Sequence, residues 1–376
     1  MNILFLATYG DFLATFELSN IKLLQQMGCT VHCASNFTNP KYNRKTYKLD
    51  EINVIRHEIE FLRSPIKRKN IIAYKELVKL IRQENIQFID CHNAVVGAFA
   101  RIAAWQCRID KVVYTPHSFF FYKGCPKKNK IIYKNVEKLL ARQTDLLVTI
   151  NHEDYAEAKK MNVRGKVAYI PGIGIDTNHI FNLSEKREEY CAEFGIPTDG
   201  TIFVSVGELI HRKNHESAIR AFSKAKIENS YYLICGIGEL EPYLKDLISE
   251  LGLDNRVKLL GYRLDAQSIM KSSDVFLFPS FQEGLPVALM EAMACGLPCL
   301  VSEIRGNVDL IEKEKGGLLF NPYDINELSE KILVAKTAPS KWGKHNKEKI
   351  KEFDIKNVQE IMKSEYSNIL GRGDMN

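Results

Sequence analysis

Two carboxylates stand eight positions apart in the run EGLPVALMEAMACGLPCLVS, Glu283 at its head and Glu291 in its middle. The run follows a strand-like VFLFPS and reads as a helix that is apolar nearly all round. An acid in that setting needs a reason, because burying an unpaired charge costs on the order of several kcal/mol. A ligand is one reason: a carboxylate accepts two hydrogen bonds and so pairs with a vicinal diol, as the 2′- and 3′-hydroxyls of a ribose would offer. A core ion pair is the other, with Arg305 as a candidate partner. Gly284 leaves the turn unencumbered, and Pro286 suits a first helical position. Gly284, Leu285, Pro286 and Val287 would then aim backbone N–H groups at one point, a cradle for a diphosphate or for sugar hydroxyls.

Further candidates also follow predicted strands. In SVGELIHRKNHESAI a strand ends at Gly207, and Arg212 and Lys213 open the next helix. Cations beside a free helix N-terminus make an anion site, although Arg-Lys pairs are also common on plain surfaces. In CGIGELEPYL, Gly236 and Gly238 would let a nucleotide lie close to the backbone, but the pattern is not the dinucleotide fingerprint. His117 ends the strand-like YTPH and His92 ends FIDCH. Each is either a structural histidine or, at a strand end, a group facing a site.

These residues need a scaffold of strands that end in loops. MNILFLATYG runs from a strand into a loop, then a helical FELSNIKLLQQMG and a second strand TVHCAS. TIFVSVGEL, HESAIRAFSKAKI and YYLICG repeat that order near residue 200. Strands alternating with amphipathic helices predict parallel sheets, so the chain reads as α/β with two Rossmann-like domains. Further strands are expected at FIDCH, KVVYTPH, LLVTIN and KVAYIP, then at RVKLLGY, VFLFPS and PCLVSE. The expected division is an N-terminal domain over 1–170, a second over 171–352, and a closing helix over 353–376 that packs back on the first. Gly and Pro in IPGIGID mark the hinge, and the Lys-rich KTAPSKWGKHNKEKIK reads as a linker. Two such sheets would place their binding crevices at the carboxyl ends of the strands, facing each other across the hinge.

At 376 residues the length favours two domains, and 45% hydrophobic with 26% charged residues is ordinary for a globular chain. The nine cysteines are scattered without metal-ligand spacing, which fits core thiols in a reducing cytosol. The apolar start is too short for a signal peptide or a membrane span. Residues 1–170 carry about 27 Lys and Arg against about 15 Asp and Glu. No helix-turn-helix, zinc or RNP-like pattern accompanies that excess, so no nucleic-acid partner is expected. Part of it forms one helical stripe, Lys130, Lys134, Lys138 and Arg142, roughly opposite Ile132, Val136, Leu139 and Leu140. The stripe is either the solvated face of a docked helix or a surface for anionic lipid headgroups. The aromatic SFFFYKG upstream tilts toward lipid.

Read together, FQEGLPVALMEAMACGLPCLVSEIRGNVDLI, PHSFFFYKG, IPGIGID, VGELIHRKNH, CGIGELEPYLKDLI and LLGYR resemble the family 4 retaining glycosyltransferases of GT-B fold, in that family's order. VGEL and FFFYKG are similar to bacterial enzymes that build capsule, exopolysaccharide or lipopolysaccharide. The resemblance implies that Glu283 contacts donor-sugar hydroxyls and Glu291 the ribose diol. It implies that Lys213, with Arg212, neutralises the donor diphosphate, and that His117 lines the reaction centre from the N-terminal domain. Gly261, Tyr262 and Arg263 would lie near the base. Two departures stand out. Many members have Arg after the glycine of VG, where this chain has Glu208. The N-terminal paired glycine is reduced to Gly10.

The expectation is therefore a glycosyltransferase that moves a sugar from a nucleotide diphosphate, with UDP favoured, to a glycan or polyprenyl-diphosphate-linked acceptor, at the inner face of the membrane. A GT-B epimerase and a non-catalytic transferase subunit are the alternatives. No Asp-x-Asp stands at a credible strand end, so protein cations rather than a metal are expected to carry the diphosphate charge. Retention rests on the resemblance alone.

Overall fold

The computed structural model describes residues 1–38, 46–65 and 67–371. The chain forms two compact units. One runs Met1–Gly174 and takes in the chain from Lys356; the other is Ile175–Ile355.

The N-terminal unit is built on seven parallel strands: β1 (Asn2–Tyr9), β2 (Thr30–Asn36), β3 (Ile55–Glu58), β4 (Phe88–His92), β5 (Val112–Thr115), β6 (Leu146–Thr149) and β7 (Lys166–Tyr169). Their order is β3-β2-β1-β4-β5-β6-β7. The centre of β1, Ile3 to Tyr9, is buried except at its last residue, because helices cover both faces of a parallel sheet. Leu4 pairs with Ile89 and Phe5 with Asp90, so β1 and β4 lie side by side where the strand order reverses. The helix Ile355–Leu370 packs on this unit through Val358, Met362 and Tyr366. The Tyr366 hydroxyl donates to Asp90 Oδ2 at 2.6 Å.

The second unit has six parallel strands: β8 (Thr201–Val206), β9 (Ser230–Cys235), β10 (Val257–Gly261), β11 (Val275–Phe278), β12 (Cys299–Ser302) and β13 (Gly317–Phe320). Their order is β10-β9-β8-β11-β12-β13, again with a reversal, here between β8 and β11. Phe203 faces Val275 and Val204 faces Phe276 across it.

Two expectations are corrected. The supposed linker is the packed helix Ser340–Lys349, with Trp342 and Asn346 buried. Asn346 Nδ2 donates to the carbonyls of Leu297 (2.8 Å) and Gly316 (2.7 Å), which ties that helix into the second unit.

The helix Lys127–Leu140 docks on a face other than the apolar one. Its buried residues are Glu137 and Leu140, while Ile131, Ile132, Val136 and Leu139 are exposed. Glu137 accepts from Arg101 Nη2 at 2.8 Å and from the Tyr114 hydroxyl at 2.8 Å. Arg101, 1% exposed, also donates from Nε to Gly97 O and lies over the Tyr114 ring. A buried arginine needs a buried acid, and that requirement turns the helix.

Candidate active site

In the second unit the site residues gather after β8 and β11, the neighbouring strands at the reversal. After β8 the chain passes Gly207 and makes one 3₁₀ turn, His211–Lys213. Asn214 then takes a left-handed φ of 56° ahead of the helix His215–Ala225. Arg212 and Lys213 therefore precede that helix instead of opening it. After β11 the loop reaches the helix Val287–Cys295, with Pro286 as the residue before its first turn and Val287 at the first helical position. The two loops are tied together: Phe281 N–H donates to Arg212 O, and Asn214 Nδ2 to Pro279 O.

The buried acid is Glu283, at 8% exposure. Its Oε1 accepts from Lys213 Nζ at 2.8 Å and from Arg212 Nη1 at 2.9 Å. Burial opposes ionisation of Glu283, but Lys213 and Arg212 outweigh it and hold the carboxyl below the ordinary glutamate value of 4.5. Lys213 Nζ also lies 4.9 Å from the centre of the Phe278 ring. Glu208, the departure noted above, faces Arg212 Nη2 at 3.9 Å. Beneath this group His215 is buried, and that burial pushes its imidazole down to about 4, with Lys213 adding to the shift.

Glu291 is only half-buried, which corrects the premise that it is the enclosed charge. Its Oε1 accepts from Gln267 Nε2 at 2.7 Å. Arg305, the ion-pair candidate, donates from Nε to the Glu283 carbonyl at 3.2 Å and so braces the loop. Gly284 and Leu285 lie in that same loop. A Cβ on Gly306, whose φ is 80°, would come within 2.2 Å of the Gly284 carbonyl oxygen, so the loop needs a glycine opposite.

The other glycines do different work. A Cβ at Gly236 would lie 1.8 Å from Gly207 O, and one at Gly238 would lie 2.4 Å from Leu209 O. Both glycines let the loop after β9 press against the loop after β8. Gly236 N–H donates to Gly261 O at 2.8 Å, which brings in the end of β10. Tyr262 is half exposed there, whereas Arg263 is engaged with Asp265 Oδ2 (2.8 Å) and Glu193 Oε1 (2.7 Å).

In the N-terminal unit Gly10 follows β1, packed so closely under Phe37 that a Cβ would reach 2.1 Å from its ring. His92 and His117 meet, with Nδ1 of the first 3.1 Å from Nε2 of the second. His117 has a φ of 57°, unusual for a residue other than glycine. Glu17 joins them at the end of a π-helical turn, Leu13–Glu17. Its Oε1 lies 3.2 Å from His117 Nε2 and 3.5 Å from His92 Nδ1. Burial drives the His92 imidazole down to about 4, so it is neutral at neutral pH. Sequence reasoning missed Glu17, since nothing in the helical FELSN run announces a π turn that swings an acid inward.

A sheet reversal with cations and a buried acid on its loops, in one of two Rossmann-like units, fits a glycosyltransferase of GT-B type. Residues 18–179 match the family described as Glycosyltransferase Family 4, and residues 186–351 match Glycosyl transferases group 1. EpsD of Bacillus subtilis (strain 168), named as a glycosyltransferase without a stated substrate, is 33% identical over 88% of this chain and 86% of its own. The UDP-Gal:alpha-D-GlcNAc-diphosphoundecaprenol alpha-1,3-galactosyltransferase of Escherichia coli is 34% identical over 69% of this chain and 68% of its own. The solved structure of Anabaena HepE in complex with UDP shares the fold, with a TM-score of 0.79 at 19% identity over 98% of this chain and all of its own. The chain belongs to glycosyltransferase family 4, and its relatives include bacterial enzymes named for a diphosphoundecaprenol-linked acceptor and for colanic acid biosynthesis.

Proposed function

We propose that this glycosyltransferase moves a hexosyl or N-acetylhexosaminyl group from a UDP-sugar to a lipid-linked glycan, with retained anomeric configuration, in cell-surface polysaccharide assembly. The observation that carries the reading is Glu283 held by Lys213 and Arg212 beside the helix that bears Glu291. In this reading the two cations change partners when the donor binds. They turn to the diphosphate, and Glu283 is released to the hydroxyls of the transferred sugar. Charge that develops on the departing diphosphate then meets preorganised cations and the backbone from Gly284 to Val287, with Gly207 nearby in sequence to Lys213. No metal ion is assigned to the diphosphate. Glu291 takes the ribose diol, exchanging Gln267 for it, and Tyr262 with Gly261 takes the base. Acceptor binding is assigned to the N-terminal unit, with His117 among the groups that touch substrate. The UDP preference is supported by the E. coli relative and by HepE, whose names carry UDP. The acceptor class is supported by that relative and by the Campylobacter jejuni N,N'-diacetylbacillosaminyl-diphospho-undecaprenol alpha-1,3-N-acetylgalactosaminyltransferase, 25% identical over 88% of each chain. Retention is supported by the family alone.

Among UDP-, GDP- and ADP-sugars offered with a polyprenyl-diphosphate-linked acceptor, only a UDP-sugar is expected to release its nucleotide. The two glutamates should then separate. Glu291→Gln removes hydrogen bonds made equally in ground and transition states, so it should raise the donor KM and weaken UDP by about 10- to 100-fold. Glu283→Gln should lower kcat while UDP binds at least as tightly, because its cations are no longer neutralised. If Glu291→Gln binds UDP like the wild type but melts lower, Glu291 is a structural partner of Gln267 and the donor assignment fails.

We also assign contact with an anionic membrane surface to the helix Lys127–Leu140. Lys130, Lys138 and Arg142 are exposed beside exposed Ile131, Ile132 and Leu139, whereas Lys134 is paired with Glu157. An exposed apolar strip flanked by cations fits the headgroup boundary, each cation adding about 1 kcal/mol near anionic lipid. Among the described residues no helix is long and apolar enough to cross a membrane. Sedimentation with acidic liposomes is expected to weaken with salt and to vanish when Lys130, Lys138 and Arg142 are changed to glutamine. Binding indifferent to both would eliminate the assignment.

A further inference from the structure

The connections that lead into β5, β6 and β7 meet in a cleft of about 660 Å³ at the amino ends of those strands. The sheet is parallel, so this is the end opposite the one that carries His92 and His117. Trp105 and Arg108 reach the cleft from the end of the helix Ala94–Cys107, Gln143 from the turn before β6, and Arg164 from the turn before β7. One wall is pinned. Arg164 Nε donates to Asp145 Oδ1 at 2.8 Å and its Nη2 to Asp110 O at 3.0 Å, while Asp145 Oδ2 accepts from the Val112 N–H at 2.8 Å.

The other lining groups are unengaged. Among the described residues, the side chains of Trp105, Arg108, Asp110 and Gln143 make no hydrogen bond within the protein. Gln106 Oε1 accepts from the Tyr74 hydroxyl, which leaves the Gln106 amide N–H groups to donate elsewhere. Trp105 is 66% exposed, whereas Trp342, the other tryptophan of the chain, is buried in the second unit.

An open indole face takes a flat apolar partner. Lipid, nucleotide and sugar could each supply one, and the charges choose between them. Arg164 is neutralised by Asp145, and Arg108 stands with Asp110, so the cleft has no net charge to attract a phosphate. A pyranose ring is uncharged, lays a face of C–H groups on an indole, and carries a rim of hydroxyls that both donate and accept. The cleft answers that rim with a carboxylate acceptor at Asp110, guanidinium donors at Arg108, and carboxamides at Gln106 and Gln143. Its volume falls within the range of small-ligand pockets, on the order of 300–1,000 Å³.

We propose that this cleft is an accessory site for neutral glycan, in which a hexose or N-acetylhexosamine unit stacks on Trp105 and is held by Arg108, Asp110 and Gln143. A glycan chain bound there is tethered at the end of the N-terminal sheet away from His92 and His117, which raises the local concentration of its growing end. The site rests on neither the donor assignment nor the membrane assignment.

The test titrates the full chain with neutral oligomers of glucose, galactose and N-acetylglucosamine, read by tryptophan emission and by calorimetry. Trp105 is the exposed fluorophore, so a bound oligosaccharide should shift or quench the emission saturably. Trp105→Ala should weaken binding by about 10-fold or more, and Gln143→Ala by about 10-fold. Arg108→Gly is the most informative variant. Arg108 has a left-handed φ of 59° at the helix end, a conformation that glycine adopts without strain. The variant should therefore melt no lower than the wild type while binding the oligosaccharide about 10-fold more weakly. The proposal is overturned if no oligomer of the three sugars binds, or if binding is untouched by both Trp105→Ala and Arg108→Gly. It is overturned equally if acidic liposomes change the Trp105 emission and the oligosaccharides do not, the result that a lipid-facing tryptophan would give.

Discussion

Lys213→Ala is expected to lower kcat/KM by about 2–4 kcal/mol of transition-state stabilisation, roughly thirty- to a thousand-fold. The loss should fall mainly on kcat, because the diphosphate gains charge as the sugar leaves and a preorganised ammonium is worth most at that moment. Lys213 is well placed for the role, mostly buried, over the Phe278 ring and fixed on Glu283 at 2.8 Å. Arg212 keeps Glu283 paired in the variant, so folding should survive and a melting curve can confirm it. Lys213→Arg keeps the charge and should recover part of the rate. Added Mg2+ or Mn2+ should leave the wild-type rate unchanged. Strict dependence on either ion, or an unaltered rate in Lys213→Ala, would refute the assignment of diphosphate charge to these cations.

The largest effect on stability is expected from Glu137→Ala. It leaves the Arg101 guanidinium buried with no carboxylate and deprives the Tyr114 hydroxyl of its acceptor, at a cost of about 3–5 kcal/mol to the N-terminal unit. Arg101→Met combined with Glu137→Leu should cost less than Glu137→Ala, since removing both charges leaves none stranded. Urea unfolding read on the transition of the N-terminal unit checks both. An equal loss in the single and double variants would mean that packing, not charge, holds the helix Lys127–Leu140. The same experiment bears on the membrane surface, because this ion pair is what leaves Ile131, Ile132, Val136 and Leu139 outside.

The strand–helix alternation and the central strands were legible because residues buried on both faces of a parallel sheet form unbroken apolar runs, as in β1, β8 and β11. The edge strands β3 and β13 were not. β3 reads IRHE and is largely exposed, so it carries neither the apolar run nor a clean alternation. β13, GLLF, is too short to register against its surroundings. The helix Ser340–Lys349 was obscured in the same way: its lysines suggested a solvated linker, while two residues, Trp342 and Asn346, anchor it.

In the candidate site, sequence spacing singled out Glu283, Glu291, Arg212, Lys213 and His117, because strand ends in alternating α/β chains supply ligand-facing loops. Which acid is enclosed was not legible. Periodicity placed Glu291 inside an apolar helix, yet that helix leaves it half-exposed against Gln267, and the loop residue Glu283 is the one enclosed by two cations. Loop conformation has no periodicity to read.

What the sequence determined by itself, then, is everything carried by local order: two parallel α/β units, the places where their strands end, and the family that their motifs resemble. Tertiary structure decided what depends on partners far apart in the chain. Arg101 and Glu137 turn a helix against its own hydrophobic pattern. A π turn brings Glu17 to His92 and His117, residues about 75 and 100 positions further along. Apolar burial is set by neighbours in sequence and repeats with the helix or strand period. A buried charge is stable only beside its counterpart, and where that counterpart lies is fixed by the packed fold.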